Sequence, residues 1–126
     1  MDALPERLDY GELKLAEIVT LLAFCQNKTD ENKILTLFYK RTSSKFYDRC
    51  SKVVGKLYKG DPESKAITED VFQESMVIIC EKLKTYKTKP EWTEEECERT
   101  ILFWMSRFAN FLLLKKRKDK KRISKG

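Results

Sequence analysis

Phe103, Trp104, Arg107, Asn110 and Phe111 fall within nine residues and run on into Lys115, Lys116, Arg117, Lys118, Lys120, Lys121 and Arg122. Ring faces stack on unpaired bases, Arg and Asn hydrogen-bond to base edges, and lysines hold phosphates. Stacking contributes about 1–3 kcal/mol per base and needs no pairing partner, which suits single-stranded DNA. Between residues 115 and 126 eight Lys and Arg face one Asp, a net +7, so the rest of the chain sums to about −1. Charge concentrated at one end marks a polyanion contact more firmly than the overall +6 does. The plainer alternative is a buried terminal helix with a solvated tail that complements the helix dipole.

Other chemistry finds little support. The chain has no His, so the commonest general base and the usual Ser and Cys triads are missing. Four scattered glycines build neither a GxxxxGK[ST] phosphate loop nor a GxGxxG turn. Cys25, Cys50, Cys80 and Cys97 form no CxxC pair, and they read as reduced thiols acting as small hydrophobes. We therefore expect no catalysis, no metal and no cofactor.

These residues need helices to position them. At 126 residues, with four Gly and three Pro, the chain reads as one all-α domain: a compact bundle of about four to five helices. Residues 1–11 form a lead-in with Pro5 and Gly11. Leu15, Ile18, Val19 and Leu22 then recur at helical spacing over 12–26, with Leu13, Leu21 and Phe24 widening that face. Thr29 or Asp30 is the expected N-cap of the next helix. Residues 31–59 predict one long helix or two collinear ones, marked by Ile34, Leu37, Phe38 and Arg41 and then by Phe46, Cys50, Val53 and Leu57. Thr42-Ser43-Ser44 interrupts the two runs, and Gly60-Asp61-Pro62 ends them.

A further helix over 65–86 buries Phe72, Met76, Ile79 and Leu83 and gathers Asp70, Gln73, Glu74 and Val77 on another face. A loop leads to Thr93, the expected N-cap of the last helix, whose Glu94, Glu95 and Glu96 suit its positive end. Within that helix Ile101, Met105, Phe108 and Leu112 form the core stripe, while the five residues named at the outset fall mostly outside it. The N-terminus lacks the charged flank and apolar core of a signal peptide, and no apolar run approaches the roughly 18 residues of a membrane span. A cytoplasmic protein with no membrane partner is expected.

TEDVFQESMVIICEKL (68–83) and FWMSRFANFLLLKKRKDKKR (103–122) together resemble the second region of bacterial RNA polymerase sigma factors, particularly the extracytoplasmic-function group. LFYKRTSSKFYDRCSKVVGKLYKGDPESKA (37–66) is similar to the helix preceding that motif, so the likeness covers about 30–122. On this reading 1–29 is a lead-in with a first helix, 30–122 the region-two-like domain and 123–126 the start of a linker. The resemblance implies an all-α bundle that binds core RNA polymerase, then recognises and melts the promoter minus-ten element. It assigns Asp70, Gln73 and Glu74, with Val77 beside them, to the clamp helices of the polymerase's largest subunit. It sets Trp104 at the edge of the melted non-template strand and Lys115–Lys118 with Lys120–Arg122 on phosphates. Anti-sigma factors regulate members of that group, which adds such a regulator to the expected partners.

Two departures stand out. The family's Asn position is held by Phe111, with Asn110 one residue earlier and about 100° round the helix. The family's fourth region, a helix-turn-helix, is not in these 126 residues, so the expectation is a domain from a longer protein, the alternative being a stand-alone homologue with altered work. Two other readings stay open: a helical protein–protein interaction module with a solubilising tail, and a generic helix-turn-helix binder of duplex DNA.

Overall fold

The computed structural model describes residues 13–125, with side chains through Lys116. The lead-in therefore lies outside the described residues, as do the side chains of Arg117, Lys118, Lys120, Lys121 and Arg122. Four α-helices follow in order: α1 (Leu15–Phe24), α2 (Lys28–Leu57), α3 (Ser64–Lys82) and α4 (Glu94–Lys125), with a short 3-10 turn at Leu83–Thr85. No strand occurs among the described residues. The all-α bundle expected from composition and periodicity is the architecture found.

Helix α2 is a single helix of 30 residues. The Thr42 hydroxyl donates to the Phe38 carbonyl at 2.8 Å, so the polar interruption satisfies itself inside the helix and breaks nothing. Its N-cap is Asn27, not Thr29 or Asp30: the Asn27 side chain accepts from the Asp30 backbone N–H at 2.8 Å. The helix ends at Leu57, and Gly60 follows with φ +79°, the left-handed conformation that an absent Cβ permits.

The buried residues of α2 recur every fourth position: Asp30, Ile34, Phe38, Thr42, Phe46, Cys50 and Val54. Each step of four overshoots a 3.6-residue turn by about 40°, so the buried seam winds well round the helix over its length. That winding lets one helix contact α1, α3 and α4 in turn. It also corrects three expectations. Val54 takes the core position expected of Val53, Leu57 is exposed, and Arg41 leaves the apolar stripe to donate from its guanidinium to the Leu13 carbonyl.

Helix α1 buries Leu15, Ile18, Val19 and Leu22 as its spacing predicts, but Phe24 does not widen that face: nine residues after Leu15 it stands about 180° round the helix and is 77 % exposed. Its first turn is held by α4: the Leu15 N–H donates to Glu94 Oε1 at 3.0 Å, and Arg41 stands 3.8 Å from the same carboxylate. Helix α3 is shorter than expected, tightening after Lys82 into the 3-10 turn that buries Leu83. Helix α4 starts with a reciprocal cap, in which the Thr93 hydroxyl accepts from the Glu96 N–H at 3.1 Å while Glu96 Oε1 accepts from the Thr93 N–H at 3.3 Å. Its backbone stays helical through Lys125.

Candidate functional site

Helices α3 and α4 lie side by side and run in opposite directions. Trp104, early in α4, meets Tyr86 just beyond α3, whereas Lys116, late in α4, reaches Asp70 and Glu74 in the first half of α3. The two faces picked out in the sequence therefore sit on neighbouring helices.

On α4, Ile101, Leu102, Met105, Ala109, Leu112 and Leu113 are buried, and Phe108 packs partly against them. The opposite side carries Phe103, Arg107, Asn110, Phe111 and Leu114 in the open, spaced i, i+4, i+7, i+8 and i+11. Phe103 is 63 % exposed and Phe111 68 %, so neither ring belongs to the core or packs under the 87–93 loop. An amphipathic helix of a small bundle ordinarily shows polar groups there.

Trp104 behaves differently. Its ring centroid lies 4.6 Å from that of Tyr86 and 5.2 Å from that of Phe108, the latter edge-to-face at 88°. It is half-buried, and its free edge lines a groove of about 480 Å³ together with Ile78, Lys82, Arg107, Phe108 and Phe111. That groove is apolar along its floor and holds a cation on each bank, Lys82 from α3 and Arg107 from α4. Sequence reasoning missed Lys82, Ile78 and Tyr86. Their only signal was that α3 and α4 must pack as neighbours, which brings 78 and 82 opposite 107 and 111.

On α3, Asp70, Gln73, Glu74 and Val77 are all exposed and share one face. Gln73 borders a hollow with Tyr39, Tyr47 and Phe72, whose rings stack edge-on at 5.3–6.1 Å. Val77 borders a second hollow of about 410 Å³ with Leu35, Tyr39 and Met76. Tyr39 of α2 thus joins the α3 face, another residue the sequence did not single out.

No family model matches the chain, nor does any curated protein or any solved structure.

The basic end of α4 divides. Lys115 is exposed, but the Lys116 ammonium donates to Asp70 Oδ2 at 2.9 Å and to Glu74 Oε1 at 3.3 Å. The hydrogen bond to Asp70 pushes the Lys116 ammonium above its usual range, with Glu74 adding to the effect. Elsewhere, a hollow of about 1010 Å³ lies between α2 and the first half of α4, and its walls carry four cations and four carboxylates. Lys45 pairs there with Glu98 and Lys52 with Asp48, so it offers a polyanion no net attraction.

The four cysteines are free thiols. Burial pushes Cys50 up to about 12 and Cys97 up to about 11, the latter with help from Glu94 and Glu98, so neither is a nucleophile near neutral pH. No group of three metal-ligating side chains is found among the described residues. No helix among them is long and apolar enough to cross a membrane.

Proposed function

We propose that this chain acts as a sigma region-two-like domain. It binds core RNA polymerase through Asp70, Gln73, Glu74 and Val77 and captures the melted non-template strand of the promoter minus-ten element on α4. The observation that carries this reading is the α4 stripe, where exposed Phe103 and Phe111 alternate with Arg107 and Asn110 and lead to Lys115. Exposed rings interleaved with cations suit splayed bases on a charged backbone, whereas paired bases in a duplex hide their faces. The acidic α3 face suits a cationic helical partner such as the polymerase clamp. The reading is non-enzymatic and places the chain in the cytoplasm, under the control of an anti-sigma factor.

A helical protein–protein interaction module is the second reading, favoured by the apolar groove floored by Ile78 and Phe108 beside exposed Phe111. Fluorescence anisotropy with a labelled single-stranded minus-ten oligonucleotide, its duplex form and core polymerase separates the two. The sigma reading expects the single strand to bind more tightly than the duplex, with affinity falling steeply in salt. It also expects capture of core polymerase, lost in the Asp70→Ala/Gln73→Ala variant. No binding to polymerase or to its clamp helices in low salt would sink it.

A further inference from the structure

One lysine is shared by both faces. Lys116 belongs to the basic end of α4, yet its ammonium lies between Asp70 and Glu74, one turn apart on α3. Lys115, its neighbour, points to solvent. Two carboxylates spaced i, i+4 offer a lysine what a phosphate offers, two anionic oxygens on one side of the charge. The clip is exposed, and exposed ion pairs contribute only about 0–1 kcal/mol, so it exchanges readily for an equivalent partner. A lysine ammonium on a flexible four-carbon stem has the reach to make that exchange.

We propose that Asp70 and Glu74 act as an internal phosphate mimic, holding Lys116 out of the polyanion-binding surface of α4 until a cationic partner occupies the two acids. This rests on the reading that α4 binds a polyanionic strand and α3 docks a protein. When a Lys or Arg of the partner takes the carboxylates, Lys116 is released to one more phosphate. By linkage the strand in turn favours the partner by the same factor. The partner surface is therefore a helix or loop bearing at least one cation opposite Asp70 and Glu74.

The test uses the whole chain with two probes, a labelled single-stranded oligonucleotide and heparin, which has charge but no bases. Asp70→Asn/Glu74→Gln should bind both about three- to tenfold more tightly, and its log–log salt slope should steepen by about one unit, as one added phosphate contact requires. Placing Lys116→Gln in that background should erase the gain. Glu69→Gln/Glu81→Gln, which removes two exposed acids from the same helix, should not reproduce it. Lys115→Gln should weaken binding of the wild-type chain, while Lys116→Gln should leave it within about twofold.

A gain that survives Lys116→Gln, or that Glu69→Gln/Glu81→Gln matches, would show a general field effect and overturn the proposal. So would the absence of any gain where the oligonucleotide binds, an outcome that leaves the nucleic-acid reading standing. If heparin shows the Lys116-dependent gain while no variant binds the oligonucleotide, the mimic stands and the nucleic-acid reading falls. If no variant binds either probe, there is no surface to mask and both fall.

Discussion

Phe111 and Trp104 sit seven residues apart on α4 and do opposite work. Phe111 is open to solvent, so Phe103→Ala/Phe111→Ala should leave the thermal midpoint nearly unchanged. If α4 holds a single strand as proposed, the same variant should cost about 1–3 kcal/mol of binding per base lost, read by anisotropy. Trp104 packs on Tyr86 and Phe108, so Trp104→Ala should destabilise the domain by about 2 kcal/mol in urea as well as weakening binding. Equal stability losses in both variants would reverse these roles. Ser75 makes a separate case: its hydroxyl is fully buried in α3 with no hydrogen-bond partner. Removing an unsatisfied buried group relieves its desolvation cost, and Ala is the better helix former. Ser75→Ala should therefore raise stability by about 1 kcal/mol, visible as a higher urea midpoint at unchanged slope.

At the scale of the helices, termini decide more than periodicity does. The cap at Thr93 was legible because Thr-x-x-Glu before an apolar run is a local pattern with a local mechanism. Thr93→Ala should cost about 1 kcal/mol, and Thr93→Ser should restore most of it, both measured by thermal melts. The start of α2 was less legible, since Asn27, Thr29 and Asp30 are all competent caps. What settles it is that the Asn27 side-chain Oδ1 accepts from the Asp30 N–H, while Asp30 itself is buried inside the first turn. The α3 stripe of Phe72, Met76, Ile79 and Leu83 follows from spacing alone because α3 keeps one face to the bundle. The α2 stripe does not, because a seam repeating every four residues turns steadily round a 3.6-residue helix. Any single-face reading must then misplace residues such as Val53, Leu57 and Arg41.

For the molecule as a whole, the core joins all four helices, and its buried thiols tie stability to pH. Cys50 and Cys97 ionise above the usual 9.0 when folded, at about 12 and about 11. The unfolded chain releases those protons first, so their contribution is fully present below about pH 9 and is lost as pH rises through 11 and 12. Urea midpoints should fall between pH 9 and 11, and Cys50→Ala/Cys97→Ala should flatten that fall. A fall of equal slope in the variant would exclude the thiols as its cause. By itself the sequence determined the helical class, the apolar faces of α1, α3 and α4, the start of α4, an acidic face on α3 and an aromatic-and-basic face on α4. These are consequences of local spacing and capping, which depend on nearby residues only. Only tertiary packing decided that the two faces lie on antiparallel neighbours, that Trp104 leans on Tyr86, and that Lys116 reaches across 46 residues to Asp70. Such contacts depend on how helices cross and which turn faces which, and a one-dimensional period carries no record of that.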